Sequence, residues 1–179
     1  MATITASGGR TGPGVAPYGQ PDYVGPLVSP GPAGPALVFA VFGAHGGCGA
    51  STVAALLDPD RIGQAVEIGP DECVSSQWIP VVVTRSSAYG TASACDLVSQ
   101  WPDEVTRPWL VVVPDAPVRP PQTARFYLRA MRSRTAGITC LPYLSQLRDV
   151  VSVTEILGDR AVQRAGQTLL SRLSRPSSR

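Results

Sequence analysis

The chain has 179 residues, of which 44% are hydrophobic and 16% are charged, with a formal net charge of +2. This length and composition fit one globular domain with a sizeable core, plus a tail. The sequence has no apolar run near the roughly 20 residues that span a bilayer, and residues 1–10 lack the apolar core of a signal peptide. We therefore expect a cytoplasmic protein without a membrane span.

The basic residues are unusual, because all 15 are arginine and the sequence contains no lysine. Residues 1–117 hold four arginines against ten acidic residues, a net charge of −6, whereas residues 118–179 hold eleven against three, a net charge of +8. This asymmetry is typical of ordinary solvated helix faces, and an anionic partner for the C-terminal third is the alternative. The four cysteines have no paired ligand spacing, so we predict reduced core thiols and no structural zinc site.

The chain divides into a domain and two tails. Residues 1–35 are rich in Gly, Pro, Ala and Ser and cannot bury enough apolar surface to offset their ordering entropy, so we predict a disordered tail. A domain follows over 36–174, and 175–179 form a disordered C-terminus. Within the domain we predict strands at 36–42, 65–68, 79–84, 109–113 and 137–142, and helices at 51–57, 88–101, 120–134, 147–157 and 159–174. This alternation predicts an α/β fold of three layers with a mainly parallel sheet.

The stretch with the clearest chemical content joins the first strand to the first helix. A glycine-rich turn, 43–49, leads into a helix that begins near Ser51, a layout that places backbone N–H groups around a phosphate. In the P-loop motif G-x-x-x-x-G-K-[ST], the lysine carries the phosphate charge and the hydroxyl holds Mg²⁺. With Ser51 in the metal position, Ala50 stands where the lysine belongs. The loop therefore keeps the flexible backbone and loses the cation.

The segment His45-Gly-Gly-Cys-Gly-Ala-Ser51 resembles the deviant Walker A loop, K-G-G-x-G-K-[ST], of the ParA/MinD group of P-loop ATPases. The resemblance implies a P-loop NTPase-like fold, with ATP and Mg²⁺ as ligands. The phosphate-binding residues that it implies are His45, Gly46, Gly47, Cys48, Gly49, Ala50, Ser51 and Thr52. Both signature lysines are replaced, by His45 and Ala50. The strand that leads into Asp115-Ala-Pro117 resembles the family strand that ends in D-x-P, and this match would give Asp115 a role in metal binding beside Ser51. It also resembles a later family strand that has no metal role.

The resemblance covers about 36–157, and the short connection before Ala65 indicates a trimmed version of the family fold. The pattern is also similar to small uncharacterised proteins of actinobacterial plasmids and integrative elements. The first functional hypothesis is a degenerate ParA/MinD-like protein without efficient ATPase activity. Such a protein would act as a scaffold or regulator, through a protein partner or as a homodimer. Its role would lie in the maintenance or transfer of plasmids or mobile elements. The second is an ATP-binding enzyme with an arginine supplied in trans. Arg85, at the end of a strand, is the candidate for a compensating arginine in cis.

The third hypothesis is an accessory protein that binds DNA through arginine. Arg125, Arg129 and Arg132 recur at helical spacing on one predicted face and could contact phosphates without sequence specificity. The neighbouring Phe126 and Tyr127 are expected to pack against the sheet rather than to stack on bases.

Overall fold

The computed structural model describes residues 37–69 and 77–175. The strands and helices, in chain order, are β1 Phe39–Gly43, α1 Ala50–Leu57, β2 Ala65–Ile68, β3 Ile79–Arg85, α2 Ala88–Ser99, β4 Trp109–Val113, α3 Gln122–Ala130, β5 Gly137–Cys140 and α4 Arg160–Leu173. Short 3₁₀ turns cover Met131–Ser133, Ser145–Arg148 and Val153–Ile156. The predicted tails lie outside the described residues, except for Arg175.

The five strands form one sheet in the order β2-β1-β3-β4-β5, and every neighbouring pair is parallel. The helices α1 and α4 cover one face, and α2 and α3 cover the other. The prediction of a three-layer α/β fold is confirmed, with a sheet that is wholly parallel. The arrangement is consistent with a P-loop-like three-layer fold.

The core follows from the strand sequences. Successive side chains of a strand point to opposite faces, so a strand covered on both faces must be apolar at every position. In β3, Val81 and Val83 pack beneath α1 and α4, whereas Val82 packs beneath α2 and α3. The central strands therefore offer no position for a polar functional group between their ends.

The helices α1 and α4 approach each other closely at Gly166. A Cβ atom at this position would lie 2.8 Å from the backbone oxygen of Leu56, closer than real Cβ atoms come. The apolar side of α4 consists of Val162, Ala165, Leu169 and Leu173, all buried. This contact fixes the position of α1 on the sheet and hence of the loop that precedes it.

The connection from α1 to β2 is short because one carboxylate organises it. Asp58 is buried, and its carboxylate accepts hydrogen bonds from the N–H groups of Ile62, Gly63 and Gln64 at 2.8–3.0 Å. A charged acceptor with several backbone donors is well compensated for its loss of water. Asp58 thus shapes the turn between α1 and β2.

Two helix predictions need correction. The predicted helix at 147–157 is wrong: this segment holds two 3₁₀ turns, joined by Asp149 to Ser152. The β-branched residues Val150, Val151 and Val153 disfavour a helix, and Ser152 begins a new turn with a capping box to Glu155. The predicted helix at 120–134 is shorter, because α3 ends at Ala130 and Arg132 lies in a 3₁₀ turn.

Among the residues that the structure describes, no helix has both the length and the apolar character needed to cross a bilayer.

We predict that Gly166→Ala lowers the free energy of unfolding by about 1–2 kcal/mol. Overpacking of a filled site costs roughly 1–3 kcal/mol, of which the higher helix propensity of alanine offsets up to about 1 kcal/mol. The control is Gly158→Ala, where a Cβ atom would meet nothing within 4 Å. Urea denaturation of the two variants measures the difference, and equal stabilities would contradict the close packing of α1 on α4.

Candidate functional site

The glycine-rich loop lies between β1 and α1, as predicted. β1 ends at Gly43 and α1 begins at Ala50, with Gly49 as its N-cap residue. Gly47 and Gly49 have φ angles of 71° and 94°, in the left-handed region, whereas Cys48 between them does not have a positive φ. This alternation is typical of the backbone concavities that bind anions.

The loop and the first turn of α1 present a set of unpaired backbone donors. The first N–H groups of a helix have no partner within the helix and carry partial positive charge. Within the described part of the chain, no hydrogen-bond acceptor is found for six N–H groups, those of Gly46, Gly47, Gly49, Ala50, Ser51 and Thr52. The backbone therefore keeps the donors that a phosphate-binding loop requires.

The side chains of the loop do not supply charge to match. Ala50 is buried, and Cys48 is buried with its sulfur 3.1 Å from where a Cβ atom of Gly43 would lie. Ser51 is exposed and Thr52 is half-buried. Cys48 thus fills the inside of the turn as a small apolar residue, and the donors of the loop are backbone groups and hydroxyls.

His45, at the position of the first family lysine, turns toward α2. Its ring lies edge-on to that of Tyr89 at 5.5 Å between centroids, and its Nδ1 lies 2.9 Å from the backbone oxygen of Gly46. Its Nε2 is buried beside Gly90, without a hydrogen-bond partner in the described residues. The imidazole is packed against the first turn of α2 rather than extended over the loop.

Arg85 is the cation nearest to the loop among the contacts of the described residues. Its Nε donates a hydrogen bond to the backbone oxygen of Gly47 at 3.1 Å and lies 3.7 Å from Oδ1 of Asp115. The prediction that Arg85 lies near the loop is confirmed. The guanidinium is also engaged, since it shares its charge with a carboxylate.

Asp115 is fixed by a second partner, Ser86. The hydroxyl of Ser86 donates to Oδ2 of Asp115 at 3.2 Å and accepts from its backbone N–H at 3.1 Å. These contacts join the ends of β3 and β4. In the described residues, no group of three or more His, Cys, Asp or Glu side chains could hold a metal ion. The metal role for Ser51 and Asp115 stays a prediction, and the Asp115 contacts that the structure shows are with Arg85 and Ser86.

A cleft of about 430 Å³ opens beside the loop, at the carboxyl ends of β4 and β5. Its lining includes Gly49, Thr52, Arg85 and Asp115, together with nine residues between Leu141 and Val153. In parallel sheets, ligands bind at this edge, where the strand order changes direction, here between β1 and β3. The loop, Arg85 and the cleft therefore form one candidate site.

The sequence prediction missed the part of this site that residues 141–153 contribute. Arg148 lines the cleft, and its Nη1 lies 3.4 Å from the hydroxyl of Tyr143. The predicted helix over 147–157 would have placed Arg148 on the side of a regular helix. The β-branched residues Val150, Val151 and Val153 could have corrected the helix prediction, because such residues disfavour a helix.

The predicted nucleic-acid residues do not join the loop. Arg125 and Arg129 lie exposed on α3, and Arg132 lies exposed in the following turn. Since α3 packs beside α2, these arginines lie on the sheet face opposite to α1 and α4. The structure thus separates the loop from the arginine-rich helix face.

A third location, a shallow depression lined by Ser86, Arg119 and Cys140, has little potential for thiol chemistry. Burial raises the pKa of the Cys140 thiol, and the nearby Arg172 guanidinium acts in the opposite direction. A raised pKa leaves less thiolate at neutral pH, which disfavours a nucleophilic role.

Comparison with protein-family models, with curated proteins and with solved structures finds no match for this chain.

We predict that Gly49→Ala destabilises the protein by about 1–2 kcal/mol, since a left-handed backbone costs an alanine roughly this amount. The matched control is Gly46→Ala in the same loop, where φ is not positive and a Cβ atom would meet nothing within 4 Å. Thermal denaturation of both variants provides the measurement. Equal losses of stability would show that the left-handed turn does not constrain the loop.

Proposed function

We propose that the chain is a degenerate P-loop protein of the ParA/MinD-like type, which does not hydrolyse ATP efficiently and acts as a scaffold or regulator through protein partners. The observation that carries the proposal is the loss of charge at a loop that keeps its backbone. Ala50 is buried at the position of the phosphate-binding lysine, and Arg85 is engaged by Gly47 and Asp115. The loop has a phosphate-binding form without a free cation of its own.

The energetic argument concerns the transition state. Phosphoryl transfer depends on positioned positive charge at the oxygens where negative charge develops. Loss of one such preorganised group costs several kcal/mol, roughly a hundredfold or more in rate. The residues also fit Mg²⁺ poorly, because the Asp115 carboxylate already accepts a hydrogen bond from Ser86 and forms an ion pair with Arg85. Efficient hydrolysis by the isolated chain is therefore not expected.

A second candidate function is an ATP-binding enzyme that receives an arginine in trans. The observation that favours it is the set of six unpaired N–H groups beside the cleft, which could hold phosphate oxygens without lysine. An arginine from a partner would then supply the charge that Ala50 does not. This candidate differs from the first in requiring nucleotide binding by the chain as it stands.

Support for a protein partner comes from exposed apolar side chains near the loop. Tyr89 lies against His45 of the loop, Val151 lines the cleft beside Gly49, and both residues are exposed. Exposed apolar groups clustered at one edge are typical of interaction surfaces. We propose that a protein partner or a second copy of the chain binds this edge in the cytoplasm. The resemblance implies a role in the maintenance or transfer of actinobacterial plasmids or mobile elements.

We predict that millimolar Mg-ATP leaves the thermal stability of the protein unchanged, whereas Ala50→Lys makes it nucleotide-dependent. The added lysine would restore the missing cation to a backbone that already has the required form. A ligand at ten times its dissociation constant stabilises the folded state by about 1.4 kcal/mol. The control is Ala130→Lys, which adds the same charge at an exposed position at the end of α3.

Two results would contradict the proposal. Stabilisation of the natural sequence by Mg-ATP, lost in Gly47→Ala and Gly49→Ala, would replace it with the nucleotide-binding candidate. An Ala50→Lys protein that is folded by circular dichroism but is not stabilised would reject the loop as a former nucleotide site.

We further predict concentration-dependent self-association through the carboxyl edge, measured by sedimentation equilibrium. The double variant Tyr89→Ser with Val151→Ser should weaken association at least tenfold, since it removes two exposed apolar groups. The control is Ile62→Ser, because Ile62 is also exposed, at 62%, but lies before β2, at the opposite edge. A monomer at all concentrations would limit the proposal to a different partner protein.

A further inference from the structure

The arginines of α3 and the turn after it form a surface that the proposed function does not use. Arg125, Arg129 and Arg132 are exposed. In residues 37–69 and 77–175, the one ion pair joins Arg85 to Asp115, so none of these three arginines has a carboxylate within 4 Å. We call these three residues, together with Phe126, the α3 face. Its positive charge is not neutralised by the protein.

A fourth guanidinium lies at the end of this face. Nη1 of Arg107 donates a hydrogen bond to the backbone oxygen of Ser133 at 3.1 Å, which places it beside the turn that carries Arg132. Arg125 and Arg129 are one helical turn apart, about 6 Å along the axis. The cations thus follow the length of α3 and continue past its end.

Phe126 is the second observation, and it corrects a prediction. Its side chain is 65% exposed rather than packed on the sheet, whereas its neighbour Tyr127 is half-buried and packs with Met131. The two rings are 5.7 Å apart and inclined at 72°. Tyr127 therefore supports Phe126 on one side, and solvent covers the rest of the ring.

We propose that the α3 face binds single-stranded nucleic acid. Arginine contacts phosphates through its planar fork of donors, and an exposed aromatic ring provides a platform on which an unpaired base can stack. Bases within a duplex are already stacked on each other and cannot reach Phe126, so the ring favours a single strand over a duplex. This inference is independent of the phosphate loop, which lies on a different part of the fold.

The experiment measures binding of the full chain to a fluorescent oligomer of about 15 thymidines by anisotropy, and to a hairpin duplex of equal charge. We expect tighter binding of the single strand. For three to four phosphate contacts, the logarithm of the affinity should fall against the logarithm of the salt concentration with a slope of about −2 to −3.

Variants of Phe126 test the stacking contact. Phe126→Ala should lower the affinity for the single strand about fivefold to a hundredfold and leave duplex binding unchanged. Phe126→Trp should restore single-strand binding, and its fluorescence should change on binding. Because the ring is exposed, neither variant should affect folding, which circular dichroism checks.

A matched pair of triple variants tests the charge. Replacement of Arg125, Arg129 and Arg132 by Gln should reduce affinity more than tenfold and flatten the salt dependence. The control replaces Arg160, Arg164 and Arg175 by Gln, which removes the same charge from exposed positions at α4, on the other face of the sheet. This control should bind as the natural sequence does.

Three outcomes would overturn the proposal. One is the absence of binding to either oligomer at about 50 mM salt, where phosphate contacts are strong. Another is equal loss of affinity in the two triple variants, which would indicate an effect of net charge alone. The third is equal affinity for the duplex and the single strand, with neither affinity changed by Phe126→Ala. This result would indicate a surface that binds any polyanion.

Discussion

The constraint on which the structure depends is the burial of its central strands on both faces. Val81, Val82 and Val83 illustrate it, because alternate side chains serve opposite cores and none is polar. Polar chemistry is then confined to the places where strands end and to the outer sides of helices. At the carboxyl ends of β1, β3 and β4, the chain places the glycine turn, Arg85 and Asp115, and links them by hydrogen bonds and an ion pair.

That linkage ties the form of the glycine turn to the packing of the fold. The left-handed conformations of Gly47 and Gly49 set the direction in which α1 leaves the sheet, and α1 in turn packs on α4 at Gly166. The shape of the turn is therefore required for folding, whatever the turn binds. Ala50, buried at the start of α1, adds no charge to the turn, and Arg85 donates a hydrogen bond to the backbone oxygen of Gly47.

The sequence predicted most of the sheet, because continuous apolar runs such as 109–113 have few other interpretations. It also predicted the loop between β1 and α1 and the approach of Arg85, since parallel strands bring their carboxyl ends to one edge. It failed where local preferences were weak. The segment at 147–157 has helical spacing but β-branched residues, and it folds as 3₁₀ turns around the cleft. The hydrophobicity of Phe126 predicts a buried side chain, but hydrophobicity alone does not determine which side of a short helix faces the sheet.

The acidic residues and the arginines, which are separated along the sequence, have different roles in the fold. The acidic first part supplies Asp58, which closes the turn after α1, and Asp115, which pairs with Arg85. Two of the three acidic residues after position 117 take part in N-terminal caps: Glu155 in that of the 3₁₀ turn Val153–Ile156, and Asp159 in that of α4. Such carboxylates serve backbone groups and leave the arginines of α3 without partners. Exposed cations of this kind add little to the stability of a protein, and the proposed nucleic-acid contact uses their charge together with the exposed ring of Phe126.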